Sequence, residues 1–272
     1  VPELPEVETI RRGLQEALPG KRIRSVEVAW AGVLKNLSPY EFEARLIGRV
    51  FRHVGRRGKY LLLHVEGAQL LVVHLRMTGG FSLCPPEEPR RNHTHWVLGL
   101  DDGRELRFRD PRKFGLVYLL EEDRLASFPP LAGLGPEPLS RSFSTPYLAR
   151  VLSRSSRKVK EVLLDQTKIA GVGNIYADEA LFLARVHPAR LADSLRPSEV
   201  LRLRRGIQQV LTHSIQAQGR SFSDYCQLNG EEGDYHPLVH DNISSLCPHC
   251  GNPLEKIRVG GRGTYFCSRC QR

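Results

Sequence analysis

The chain is short of sulfur and of large aromatic side chains. Its 272 residues hold one methionine, two tryptophans and six cysteines, with aromatics at 7%. Four of the cysteines lie close to the C-terminus, leaving Cys84 and Cys226 as singles. That distribution excludes a disulfide-stapled scaffold and points to a setting that keeps thiols reduced. No apolar run approaches the roughly 18 residues of a membrane span, so no membrane role is expected. The opening VPELPEVETIRRGL carries acids where a signal peptide has a basic segment and then an apolar one, so a cytoplasmic location is expected. Acidic residues are in deficit, 30 against 40 Lys plus Arg, giving a formal charge of +10 and a pI near 9.6. That balance favours a phosphate-backbone partner, although solubility alone accounts for part of it. Internal repeats, sustained heptads, a P-loop and a dinucleotide fingerprint are all missing.

What is present is most informative at the end of the chain. Cys247-Pro-His-Cys250 and Cys267-Ser-Arg-Cys270 are two C-x2-C pairs separated by 16 residues. Two such knuckles can aim four thiolates at one tetrahedral Zn²⁺, whereas a redox reading of one pair leaves the other unexplained. One structural zinc is therefore expected. Between the pairs, Lys256, Arg258 and Arg262 alternate with Gly260, Gly261 and Gly263, which reads as a basic hairpin tip. Nucleic acid is the first partner to consider.

At 40% hydrophobic, the chain can bury about two cores. Val7, Ile10, Leu14 and Leu18 form a helical stripe that Pro19-Gly20 ends. Strands are expected at Ile23–Trp30, Arg45–Val54, Tyr60–Val65, Leu70–Leu75, Thr94–Leu100, Glu105–Arg109 and Leu116–Leu120, a spacing that suits an antiparallel sandwich or barrel. The proline- and glycine-rich stretch 128–146 reads as a linker or an ordered crossing. Helices follow at Thr145–Ser153, Val159–Gln166, Ile175–Ala184 and Pro197–Gln218. The resulting partition is 1–132, a linker at 133–144, a helical part at 145–235 and a cysteine module at 236–272.

Five segments stand out: Pro2-Glu-Leu-Pro-Glu-Val-Glu8, Gly58-Lys59-Tyr60, His74-Leu-Arg-Met-Thr-Gly79, Asp110-Pro-Arg-Lys-Phe-Gly115 and Leu164-Asp-Gln-Thr-Lys-Ile-Ala-Gly-Val-Gly-Asn-Ile-Tyr-Ala-Asp-Glu179. With the terminal cysteines, they resemble the bacterial formamidopyrimidine-DNA glycosylases along essentially the whole chain and in family order. The resemblance implies an α+β fold: an N-terminal antiparallel β-sandwich with a leading helix, a helical domain containing a helix–two-turns–helix element, and a C-terminal zinc finger. It also implies a glycosylase and abasic-site lyase that excises oxidised purines such as 8-oxoguanine and formamidopyrimidines from double-stranded DNA in base excision repair. A bacterial monomer, associated with the nucleoid when DNA-bound, is expected.

The roles implied are specific. Pro2 matches the nucleophile whose secondary amine attacks C1′. Glu3 matches an acid assisting ring opening or base departure, and Glu6 a second acid holding amine and sugar. Lys59 matches a hairpin lysine near the lesion, and Arg262 the finger arginine linked to δ-elimination. Met77, Arg112 and Phe114 match the set that fills the void left by an extruded base, and Asn174 the asparagine that bonds backbone phosphate. His74, His93, Arg157 and Lys160 are further candidates for phosphate contact. Blander readings stand beside these: a capped helix start for the Pro-Glu motif, a solvated strand edge for Lys59, core positions for Met77 or Phe114, and a solvated charge run for Arg154–Lys160.

Three features depart from the pattern. Val1 would block the Pro2 amine unless it is a start residue that the cell reads as Met and removes. Val239-His-Asp-Asn-Ile-Ser-Ser-Leu246 stands where relatives usually have Val-Tyr-Gly-Arg. Gln218-Gly219-Arg220-Ser221 replaces paired glycines before the stretch to Tyr235 that would cover an extruded base. An endonuclease VIII-like enzyme for oxidised pyrimidines, a catalytically silent damage-binding zinc protein and a plain zinc-ribbon adaptor are the alternatives. Leu4 favours the purine-lesion branch, because the endonuclease VIII branch typically opens Pro-Glu-Gly-Pro.

Overall fold

The computed structural model describes residues 2–220, 233–242 and 245–272. Two compact units emerge, Val1–Ala132 with Ala217–Asp234, and Gly133–Gln216 with Tyr235–Arg272.

The first unit opens with α1 (Leu4–Ala17). Pro5 sits in its first turn, where a missing N–H costs nothing, and the Glu6 carboxylate accepts the Glu3 N–H at 2.8 Å. The buried face is Leu4, Val7, Ile10 and Leu14, each contributing about 1.5–3 kcal/mol on burial. After α1 come β1 (Ile23–Val28), α2 (Pro39–Leu46), β2 (Phe51–Arg57), β3 (Tyr60–Val65), β4 (Gln69–His74), β5 (Gly80–Cys84), β6 (Thr94–Leu100), β7 (Glu105–Arg109), β8 (Leu116–Glu121) and the short α3 (Pro129–Ala132). The sheets run β1-β6-β7-β5 and β2-β3-β4-β8, with antiparallel ladders throughout. Their inner faces share one core in which Trp96 stacks on Phe108 at 5.6 Å and Phe81 meets both edge-on.

Two elements differ from the sequence reading. Arg45 and Leu46 belong to α2, not to a strand, because Ser38 caps that helix and exchanges bonds with Glu41. The strand begins only at Phe51, after the left-handed turn at Gly48. The sequence reading has no strand at Gly80–Cys84, where β5 pairs with β7.

In the second unit, the stretch after α3 is an ordered crossing: Gly135 N–H donates to the Gln166 carbonyl and Ala170 N–H to that of Pro136. Its helices are α4 (Thr145–Ser153), α5 (Val159–Leu164), α6 (Asn174–Ala184) and α7 (Pro197–Gln216). α6 is almost wholly buried and lies along α7. Gly206 permits their close approach, since a Cβ there would stand 2.9 Å from the Ala180 carbonyl oxygen. β9 (Glu255–Val259) and β10 (Arg262–Phe266) form the terminal hairpin.

The segment Ala217–Asp234 groups with the first unit, not with the helices it follows. Arg220 N–H donates to Glu6 Oε1 at 3.0 Å, and Asp234 N–H donates to the Ala217 carbonyl at 2.8 Å.

Candidate active site and zinc finger

Pro2 is buried immediately ahead of α1. Glu3 and Glu6 are buried beside it, at 3% and 0% exposure. Glu6 divides its carboxylate between Glu3 N–H and Arg220 N–H, so this one side chain joins the head of α1 to the start of the segment that follows Gly219. Residues 221–232, including Cys226 and most of the expected lesion-covering stretch, lie outside the described residues, as does Val1.

Lys59 occupies a two-residue hairpin loop between the paired Arg57 and Tyr60. Gly58 has φ +56° at the first loop position, which such turns reserve for glycine. Tyr60 pairs with His74 across β3 and β4, and their rings meet edge-on at 4.6 Å. Burial, followed by the positive charges of Arg76 and Lys59, pushes the His74 imidazole down to about 3. Its Nδ1 accepts the Arg76 N–H at 3.0 Å, which places the ring proton on Nε2. At neutral pH the His74 ring is therefore uncharged, with an N–H to donate.

Met77, Arg112 and Phe114 stand on loops at the ends of strands and not in the core. Met77 is 41% and Phe114 49% exposed, and the Arg112 guanidinium lies 4.9 Å over the Phe114 ring. Asp110, fully buried, brings their loops together. Its carboxylate accepts the Thr78 hydroxyl, Arg112 N–H at 3.2 Å and Gly115 N–H at 2.6 Å. His95 bonds the Asp110 carbonyl, and Asp110 N–H donates to the carbonyl of the exposed His93, so His93 joins the same loop cluster. Arg76, His93 and Lys113 all adopt left-handed backbone at φ of 56°, 71° and 59°. Such conformations are costly for residues with a Cβ and concentrate at functional loops. Thr78 and Asp110 lie inside segments singled out by sequence, yet the bonds by which they tie these loops together are visible only in three dimensions.

In the second unit, Gln166 holds the turns ahead of α6. It donates to the Leu164 and Val172 carbonyls and accepts Gly171 N–H. Asn174, the first residue of α6, directs Nδ2 to the Gly263 carbonyl at 3.0 Å, while its buried Oδ1 has no hydrogen-bond partner among the described residues. Arg157 is exposed and tied to Asp165 at 3.0 Å.

Lys160, a candidate for phosphate contact, ends a run whose blander reading is a solvated charge face; it is completely buried instead, and its ammonium lies 2.7 Å from Asp178. It also donates to the Gly263 carbonyl and the Thr264 hydroxyl at 3.1 and 2.8 Å. An ammonium removed from water costs several kcal/mol unless it is paired and its protons are satisfied, and this arrangement does both. Asp178 additionally accepts from His240 Nδ1 at 2.7 Å and from Tyr265 N–H. Neighbouring Glu179, also buried, receives the N–H groups of Leu238, Val239 and His240. Burial raises the Glu179 carboxyl above its usual range, and those three donors oppose the rise. His240, which stands in the unusual segment before the finger, is buried in this network.

The four cysteine sulfurs lie within 4.8 Å of one another, at 3.8 Å for Cys247–Cys270 and 3.5 Å for Cys250–Cys267. Tetrahedral zinc with Zn–S near 2.3 Å demands about 3.8 Å between thiolates, so the set fits one Zn²⁺ with no open position, a structural site. Arg262 stands exposed at the start of β10, after the Gly260-Gly261 turn.

No described helix is long and apolar enough to cross a membrane. Residues 1–117 match the formamidopyrimidine-DNA glycosylase N-terminal domain, 134–225 the H2TH domain of the same enzymes, and 244–272 the zinc finger found in FPG and IleRS. The formamidopyrimidine-DNA glycosylase of Symbiobacterium thermophilum is 50% identical over all of this chain and 89% of its own length, and that of Halalkalibacterium halodurans is 46% identical over the whole of both. Wild-type Lactococcus lactis Fpg (MutM), solved with DNA containing N7-benzyl-Fapy-dG, superposes with a TM-score of 0.94 at 34% identity over the full length of both chains. Sandwich, helix–two-turns–helix and four-cysteine finger thus occur together in the family's order, and the chain belongs to the formamidopyrimidine-DNA glycosylase family.

Proposed function

We propose that the protein is a DNA glycosylase and abasic-site lyase acting on oxidised purines, with Pro2 as nucleophile. The observation that carries this reading is the head of α1, where Pro2 is buried beside two buried carboxylates, one of them bonded to the Glu3 N–H. A chain that begins at Pro2 presents a secondary amine, which titrates near about 7.7–8.0 and is partly deprotonated at neutral pH. The amine lone pair attacks C1′ of an extruded nucleotide and the base departs with its bonding electrons and a proton; the C1′–O4′ bond then breaks, O4′ takes up the proton that the amine gives up, and the resulting iminium joins enzyme to the opened sugar. Glu3 supplies or relays that proton, and Glu6 holds the amine and sugar. The iminium acidifies the 2′ proton, whose loss expels the 3′ phosphate, and a second elimination releases the 5′ phosphate.

In this reading residues 1–132 carry the chemistry. Lys59 and neutral His74 meet phosphates flanking the lesion, Met77 and Phe114 fill the vacated stack, and Arg112 addresses the orphaned base. The helical part (145–235) and the finger (236–272) grip the backbone through Asn174 and Arg262, with Arg157 as a peripheral contact there and His93 as one on the sandwich side. Zinc holds the finger and takes no part in the chemistry. Solved Lactococcus lactis relatives are complexes with Fapy-dG, abasic-site and oxidised-pyrimidine DNA. The protein is proposed to work as a cytoplasmic monomer on chromosomal DNA.

The test is incubation with an 8-oxoguanine:cytosine duplex and borohydride, followed by mass mapping of the adduct. A reduced cross-link on N-terminal Pro2 is the expected result. Protein shown to begin at Pro2 that binds the duplex yet never cross-links would establish the silent damage binder instead.

A further inference from the structure

The opening motif ends in Glu8, an acid to which the chemistry above gives no task. It lies two residues beyond Glu6 on α1 and collects three arginines. Arg11 contacts it through Nε and Nη2 at 3.0–3.2 Å, and Arg12 through Nε at 3.0 Å. Arg56, on β2, donates Nε to Glu8 Oε2 at 3.1 Å. These contacts, working against the cost of burial, hold the Glu8 carboxyl below the usual range.

Arg12 is exposed and Arg11 is a near neighbour on the same helix, so both read as ordinary helix-surface pairs. Arg56 differs. Its side chain and that of Glu8 are 13% and 14% exposed, and its Nη1 continues to the Gly58 carbonyl at 2.8 Å. Gly58 is the residue whose left-handed backbone sets the turn presenting Lys59. One guanidinium thus spans from the nucleophile's helix to the lysine's loop.

We propose that Glu8 and Arg56 are positioning residues for Lys59, fixing its hairpin loop relative to the helix that begins at Pro2. The proposal rests on the reading of Lys59 as an active-site cation. A purely structural role, stapling α1 to the edge strand β2, is already filled lower down. There Gln15 accepts Val54 N–H at 2.6 Å and Arg11 donates to the Val54 carbonyl at 3.4 Å. Arg fits the bridging position because its planar fork serves two acceptors at fixed angles, which a lysine ammonium does not reproduce.

The experiment is a double-mutant cycle on the full-length protein, read as single-turnover cleavage of an 8-oxoguanine:cytosine duplex, with duplex affinity and thermal melting measured in parallel. Glu8→Gln is expected to slow the single-turnover rate roughly tenfold with little change in affinity, the loss typical of one charge-assisted contact. Arg56→Lys, which keeps the charge but not the fork, is expected to match it. In a Lys59→Ala background neither change should slow the reaction further. Full additivity with Lys59→Ala overturns the proposal, as does a loss of rate that appears only with a lowered melting temperature. If Lys59→Ala by itself leaves the rate intact, the reading of Lys59 fails, and the positioning role falls with it.

Discussion

Two regions of this molecule present site candidates to solvent, and they are supported differently. In the sandwich, Met77, Arg112 and Phe114 ride on loops whose backbones meet at Asp110, a buried acid whose donors are a hydroxyl and backbone N–H groups. In the second unit, exposed Arg262 sits on a two-stranded hairpin backed by a four-cysteine metal site and the buried Lys160–Asp178 pair. The sandwich loops grow from a core of two four-stranded sheets, so hydrogen bonds to one carboxylate suffice to set their shape. Among the described residues, the apolar cluster about its cysteines is small, Phe182, Val239 and Leu254 with Leu183 packed against them, too little surface to order the finger without other anchors. Where a core is small, metal and buried charge replace it, and such devices fail abruptly when one member is lost.

The largest expected effect follows. Cys250→Ser removes one of four thiolates, and because binding energy is folding energy in such a site, the finger should lose both zinc and order. DNA cleavage should be abolished while the sandwich still unfolds cooperatively. Metal analysis, circular dichroism and an incision assay check this together. Normal activity in a zinc-free variant would break the comparison at its root.

The second test separates the buried pair from the metal. Lys160→Met should leave zinc content unchanged but cost about 3–5 kcal/mol of stability in the second unit, the usual penalty for stranding one buried charge. DNA binding should weaken, since the Gly263 carbonyl and Thr264 hydroxyl beside Arg262 lose a donor. A companion Lys160→Met/Asp178→Leu variant should recover part of the stability, because both charges then leave together. Unchanged denaturation curves for the single variant would show that the buried pair adds nothing to the stability of the second unit.

This pair also marks the limit of what the sequence reveals. Thr94–Leu100, Glu105–Arg109 and Thr145–Ser153 are legible to the residue, because each apolar pattern is bounded by its own turn or cap. The cysteine spacing declares the metal for a similar reason, ligand chemistry being local. Lys160 is not legible. It closes the run Arg154–Lys160, which has the composition of a solvated face, and only the packing of α5 against the hairpin turns it inward. Arg45 misleads in a related way: the run to Val54 has strand-like residues, but the capping box at Ser38 commits its beginning to a helix. The motif segments identified where the site lies, whereas the buried acids that shape it (Asp110, Asp178 and Glu179) required the fold.

The smallest effect sharpens the comparison on the sandwich side. Arg112 lends its backbone N–H to Asp110, but its guanidinium leans on the exposed Phe114 ring. Arg112→Ala should therefore leave the loop intact and alter only what the guanidinium touches. If that group addresses the base opposite the lesion, the change should erode the preference for cytosine by about 1–3 kcal/mol, the worth of one good base contact, and weaken nonspecific binding much less. Single-turnover rates on 8-oxoguanine duplexes carrying each of the four opposing bases provide the measurement. Equal losses against all four would mean that the side chain serves phosphate or stacking, and that the sandwich loops set affinity rather than discrimination.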